Sequence, residues 1–189
     1  MKVLLVNGSP RKNGDTAYSL GIVEKVLNGA NIETEWFHLG TDKVRGCCDC
    51  NKCSATSRCA FSDDRCNELI EQIIEADGVI VGTPVYFAGA NGALCALLDR
   101  VFYAASNYGH HFSGKPAAAV ATCWRAGATA TLDRLNKYFS YSGMPMVSSN
   151  YWNLKLNGED KFGEKILKIL GENMVRELAL VEAAKKQSQ

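Results

Sequence analysis

The sequence predicts an α/β fold in which five parallel strands form one sheet with helices on both faces. Short apolar runs without polar alternation, Val3-Leu4-Leu5-Val6 and Gly78-Val79-Ile80-Val81 foremost, read as strands covered on both sides. Segments of helical periodicity separate the runs, and glycine-containing loops follow Val6, Val81 and Ala121. Five strands alternating with five helices require crossover connections, hence a parallel sheet.

Taken in order, the first strand stops at Asn7-Gly8, and a loop runs through Gly14. A helix begins near Thr16, with Asp15 or Thr16 as N-cap, and ends at Asn28-Gly29. Ile32 to His38 reads as the second strand. Residues 40–64 form a cysteine-rich connection longer than a compact domain normally carries without a purpose. Asp63 or Asp64 caps a helix whose Leu69, Ile70, Ile73 and Ile74 repeat at helical spacing. The third strand, Gly78–Val81, is closed by Gly82 and Thr83-Pro84, and a helix spans Gly92 to Tyr108. Ala117–Ala121 is the fourth strand, Thr131–Tyr141 a helix, Met144–Ser148 the fifth strand, and Phe162 to about Lys185 the closing helix. Gly158-Glu159-Asp160 is a turn, so residues 1–189 read as one domain.

Composition narrows the function. The 189 residues carry 21 Lys+Arg against 20 Asp+Glu, a net charge of +1. No basic excess is available to neutralise a phosphate backbone, so nucleic acid is not expected as a partner. The apolar start is too short for a signal peptide and nothing approaches the ~20 apolar residues of a membrane span, so a cytoplasmic protein with no membrane partner is expected. Eight cysteines are many for that setting, and six of them lie between residues 47 and 66. Such crowding points to metal or redox chemistry before structural disulfides.

In such sheets ligands bind beyond the carboxyl ends of the strands, where the strand order reverses. The loop after the first strand, Gly8-Ser9-Pro10-Arg11-Lys12-Asn13-Gly14-Asp15-Thr16, combines backbone N–H groups at a helix N-terminus with hydroxyls, an amide and two cations. That chemistry suits a phosphate. It is neither a Walker A loop nor the dinucleotide glycine fingerprint. The bland reading is a solvated turn with two incidental basic residues. Further on, Thr83-Pro84-Val85-Tyr86-Phe87-Ala88-Gly89 offers a rigid turn and two aromatics, able to wall a planar heterocycle or simply to cover the sheet end.

These two segments together resemble the flavodoxin-like NAD(P)H-dependent FMN reductases, and within them the branch that contains the iron-sulfur flavoproteins. The resemblance covers roughly residues 1–155. It implies a flavodoxin-like three-layer sandwich, with Ser9, Arg11, Asn13 and Thr16 on the FMN phosphate, Lys12 adding charge, and Pro84, Val85, Tyr86 and Phe87 on the ring. Many relatives carry Asn where this chain has Asp15, so that carboxylate is expected to point away from the phosphate or to cap the helix. Asn91 is expected to cap the following helix. In relatives the loop Thr122-Cys123-Trp124-Arg125-Ala126-Gly127 borders the pyrimidine side of the flavin. Arg125 is therefore the candidate to tune the flavin, and Trp124 to narrow the site or meet another subunit. Cys95 and Cys123 read as small core residues and His110-His111 as loop surface.

Cys47-x2-Cys50-x2-Cys53-x5-Cys59 can surround a cubane, each corner iron taking one soft ligand. The spacing resembles the compact motif of the iron-sulfur flavoproteins, which implies a 4Fe–4S cluster on Cys47, Cys50, Cys53 and Cys59, with Cys48 and Cys66 spare. Zinc, a redox-active dithiol involving Cys47-Cys48, and a loop that binds nothing remain open.

The expected function is an FMN-dependent oxidoreductase passing electrons from NAD(P)H to a small acceptor such as a quinone, a nitro or azo compound, a flavin or a metal ion. The alternative is an electron carrier fed by ferredoxin through a cluster and FMN. Relatives complete the flavin site from neighbouring subunits, which implies a homodimer or homotetramer. Tyr103, Tyr108, Tyr138, Phe139, Tyr151 and Trp152 offer aromatic surface for such an interface, although core packing accounts for most of them.

Overall fold

The structure is a computed structural model that describes residues 1–187. In chain order it runs β1 (Lys2–Asn7), α1 (Asp15–Gly29), β2 (Glu33–His38), α2 (Cys66–Glu75), β3 (Gly78–Tyr86), β4 (Gly89–Ala90), α3 (Gly92–Asn107), β5 (Ala117–Cys123), α4 (Ala128–Tyr141), β6 (Leu154–Leu156) and α5 (Lys161–Gln187). Five strands are parallel in the order β2-β1-β3-β5-β6, and β4 folds back antiparallel on the end of β3.

The apolar runs are buried on both sides, as unalternating strands must be. Val3, Leu5, Ile80, Ala118 and Val120 face one core, shared with Leu20, Val23 and Leu27 of α1 and Leu167, Leu170 and Met174 of α5. Leu4, Val6, Val79, Val81, Ala119 and Ala121 face the other, with residues of α2, α3 and α4. Small side chains along β5 let the helices approach the sheet closely. From β1 the chain steps outward to β2 and then returns across β1 to β3, so the order reverses between β1 and β3. The crevice at their carboxyl ends is the ligand position of such a sheet.

Several expected boundaries move. The N-cap of α1 is Gly14, with no side-chain cap bond, and Asp15 is the first helical residue. Arg65 precedes α2, although the Asp64 carboxylate still accepts from Cys66 N at 3.1 Å. β3 continues through Thr83-Pro84 to Tyr86 because β5 extends beside it, with Pro84 opposite Thr122. Residues 144–148 are not a strand. Only Met146 bridges Ala117, and the chain then leaves the sheet in a turn where Asn153 Oδ1 accepts from Ser149 N at 3.0 Å and from its hydroxyl at 2.8 Å. Local side-chain bonds of this kind compete with a ladder, and the edge strand re-forms later, as β6. Tyr138 and Phe139, offered above as interface aromatics, are buried, each with its ring against Phe102.

Candidate functional site

At the carboxyl ends of β1, β3 and β5 an open cleft is lined by Ser9, Arg11, Thr16, Tyr86, Trp124 and Asn157. Its floor is set by close backbone approach. Gly8 N donates to Gly82 O at 2.8 Å, and a Cβ on Gly8 would come within 2.4 Å of Leu94 Cδ2. Asn91 braces the same point, accepting from Ala93 N at 3.1 Å as the cap of α3 and donating to Gly8 O at 2.7 Å. Within the loop, Ser9 N donates to Asn7 Oδ1 at 3.1 Å and Arg11 N to Ser9 Oγ at 3.1 Å. Because α1 starts without a side-chain cap, its first N–H groups are left for an acceptor from outside the helix.

Asp15 is turned to a structural task, its Oδ1 accepting from Gly158 N at 3.0 Å. The Thr16 hydroxyl is likewise engaged, 2.8 Å from that of Thr122. On the other wall, Pro84, Val85 and Tyr86 line the cleft. Phe87 and Ala88 form the two-residue turn between β3 and β4, both left-handed at φ 49° and 61°. A bulky residue rarely accepts that conformation, yet Phe87 stands fully exposed there. Gly127 packs beneath this turn, where a Cβ would lie 2.6 Å from Ala88 Cα. Trp124 is 81% exposed beside the cleft. Lys12, Asn13, Phe87 and Arg125 are exposed and do not form part of its wall. Thr122 and Cys123, which open the loop expected beside the flavin, do, and so does Asn157, which carries no signal in the sequence. Asn157 arrives because its N–H donates to Cys123 O at 2.9 Å, a pairing created by β6 lying where no strand was expected.

The cysteine loop is ordered around a second space. Cys47, Cys50, Cys53 and Cys59 line one small cavity, together with Cys48, Phe61, Arg100 and Tyr103. Cys53 is buried on a short 3-10 turn, Lys52–Ala55, and burial pushes its thiol up from the ordinary range. Asn67 clasps Cys59, accepting from its N–H at 2.8 Å and donating to its carbonyl at 2.9 Å. Tyr103 and Tyr108 both donate to Asn51 Oδ1, at 2.9 and 3.3 Å. Cys66 is fully buried, and desolvation pushes its thiol up to about 12. Cys123 is buried in β5 and Cys95 half-buried. None of the eight cysteines is joined in a disulfide. Among the described residues no three His, Cys, Asp or Glu side chains close around a single metal ion.

A family model for NADPH-dependent FMN reductases matches residues 1–158. The chain belongs to that family. An iron-sulfur flavoprotein of Methanocaldococcus jannaschii is 32% identical over 153 residues, covering 79% of this chain and 77% of that protein. The flavoenzyme NAD(P)H:(acceptor) oxidoreductase FerB of Paracoccus denitrificans superposes with a TM-score of 0.68 at 23% identity, over 96% of this chain and 97% of that one. A flavodoxin from the domain Archaea does so at 0.65 and 14%, over 95% and 99%. These last two likenesses establish the flavodoxin-like fold.

As a member of the FMN reductase family the chain is an FMN-dependent NAD(P)H oxidoreductase, and its switch-point cleft fits the cofactor. An uncapped helix N-terminus and Arg11 offer donors suited to an anion, and Tyr86 and Trp124 line the same cleft with aromatic rings. The second cavity carries four thiols among its lining residues, a soft donor set whose chemistry suits a thiolate-ligated cluster. No helix among the described residues is long and apolar enough to cross a membrane.

Proposed function

We propose that residues 1–189 form one FMN-binding oxidoreductase domain in which FMN lies in the cleft between β1, β3 and β5. On this reading NAD(P)H is the electron source and a small molecule the acceptor. Bound FMN supplies hydride acceptance and the onward release of electrons. The protein's part is to bind, orient and exclude water. The N–H groups opening α1, together with Ser9 and Arg11, hold the phosphate, while Pro84, Val85 and Tyr86 wall the ring. Trp124 borders the open side, the exposed Phe87 ring stands on the turn beyond Tyr86 where a bound ring could meet it, and Arg125, on the same loop as Trp124, offers a cation to charge building on the ring edge. The single observation that carries this reading is the open cleft at the reversal of strand order, with an uncapped helix start and aromatic rings along it. Titration of flavin-free protein with FMN, followed by NADH and NADPH oxidation with a quinone acceptor, tests it. Tight FMN binding with rapid turnover is expected, and protein that refuses FMN would overturn it.

A second reading is supported by the cysteine cavity. Here Cys47, Cys50, Cys53 and Cys59 hold a 4Fe–4S cluster, and electrons enter from ferredoxin instead of a nicotinamide. Iron and acid-labile sulfide near four each per chain, as a cubane requires, with ferredoxin coupling faster than NAD(P)H oxidation, would favour it. Assembly into a homodimer or homotetramer belongs to either reading. Trp124, Tyr108, Tyr151 and Trp152 are among the exposed aromatics that could serve such a contact, and sedimentation of the FMN-loaded protein measures it.

A further inference from the structure

Arg100 projects from α3 into the cysteine loop with its side chain only 2% exposed. All five of its N–H donors are used. Nε lies 3.3 Å from Cys59 Sγ, and Nη2 lies 3.3 Å from the same sulfur and 3.4 Å from Phe61 O. Nη1 donates to Arg45 O at 3.3 Å and to Asp64 Oδ2. The Asp64 side chain is itself only 5% exposed, and its other oxygen accepts from Cys66 N at 3.1 Å. A guanidinium fork thus rests on one sulfur of the cysteine cavity, with a buried carboxylate directly behind it.

So placed, the pair does more than staple the loop. One-electron reduction of a 4Fe–4S cluster, for example by dithionite, adds one negative charge to the cluster and its thiolates. N–H donors on a ligand sulfur, and a cation beside it, favour that more negative state and raise the potential. A carboxylate acts in the opposite sense, and burial leaves both charges poorly screened. We propose that Arg100 and Asp64 form an opposed pair that sets the reduction potential of the cluster through Cys59, Arg100 raising it and Asp64 lowering it. The inference rests on the cluster reading given above. Both are positioning residues, since neither is a ligand.

The test uses the full chain, reconstituted anaerobically, with iron and sulfide assayed and the cluster's EPR signal followed through a mediated dithionite titration. Arg100→Lys and Arg100→Gln should lower the midpoint potential relative to the unsubstituted protein. Asp64→Asn keeps the shape and an acceptor for Arg100 while removing the negative charge, and should raise it. A loop staple alone would not move the two sites in opposite directions. Shifts of the same sign, or no shift in protein that holds its iron, would overturn the inference and leave the cluster reading standing. If the Arg100 variants lose iron, a raised potential in Asp64→Asn still supports the pairing and an unchanged one overturns it. Unsubstituted protein without iron and sulfide after reconstitution would overturn the cluster reading, and this inference with it.

Discussion

The hydroxyls of Thr16 and Thr122 lie 2.8 Å apart and join the first turn of α1 to the end of β5, 106 residues later. Thr122 Oγ1 also reaches Thr83 O at 3.5 Å, so polar contacts run from α1 across β5 to β3 at the cleft. Both threonines are almost fully buried. A lost Thr16 hydroxyl leaves Thr122 only its long contact to Thr83 O, which costs about 1 kcal/mol. Thr16→Val should therefore destabilise flavin-free protein by about that much in urea unfolding. Thr16→Ser, which keeps the oxygen, should restore most of it.

Arg11 is the cation that lines the cleft. A charge-assisted hydrogen bond to phosphate contributes about 1.5–3 kcal/mol, so Arg11→Ala should weaken FMN binding by roughly tenfold to a hundredfold. Riboflavin lacks the phosphate, and its affinity should not change. Lys12 is exposed and off the wall, so Lys12→Ala should alter FMN affinity little. Equal losses for FMN and riboflavin in the Arg11 variant would place that side chain at the ring instead.

Phe87 holds a left-handed backbone at φ 49° while its ring packs on nothing. Conformations of this kind cost a non-glycine residue about 1–2 kcal/mol and persist where function requires the side chain. Phe87→Asn, suited to such a turn, should stabilise flavin-free protein by about 1 kcal/mol. The same change should weaken flavin binding or turnover. A variant both more stable and fully active would show the ring to be dispensable.

At the sheet edge, Lys2 Nζ lies 2.9 Å from Glu35 Oε2, and Gln72 donates to Oε1 at 2.7 Å. The bond from Lys2 is the main reason the Glu35 carboxyl is held below the usual carboxylate range, against a smaller opposing effect of burial. A depressed folded-state pKa gives stability that is fully present above the unfolded value, about 4.3, and is lost as pH falls through the folded value. Urea midpoints taken from pH 6 down to pH 3 should fall more steeply for the unsubstituted chain than for Glu35→Gln. The pair is partly exposed, so added salt should shrink the difference.

Much of this architecture was legible because burial on both faces leaves a strand no polar residue to hide, as Val3–Val6 and Val79–Val81 show. That the loop after β1 and the Pro84–Tyr86 segment meet at one cleft was legible as well, since glycine, hydroxyl and aromatic residues cluster in both beyond the ends of strands. What escaped notice depends on contacts distant in sequence. Asn157 reaches the cleft only because β6 pairs with the end of β5, and Met144–Ser148 has the composition of a strand while the Asn153 turn diverts the chain from the sheet. Arg100 carried no signal at all, because a lone arginine on an apolar helix reads as a surface group until the loop that buries it is in view.

The cysteine cavity yields the sharpest single-residue contrast. Cys53 is buried on its 3-10 turn at the back of the cavity, whereas Cys48 is exposed at its mouth and outside the fourfold spacing. If the four spaced thiols hold a cluster, Cys53→Ser removes a soft ligand that no neighbour can replace without rebuilding the turn. Iron and sulfide should then fall to background while FMN binding persists, because the cleft shares none of these residues. Cys48→Ser should keep both iron and flavin. Iron lost from the Cys48 variant and retained in the Cys53 variant would reassign the ligand set, and a flavin lost with the iron would mean that the two sites depend on one another.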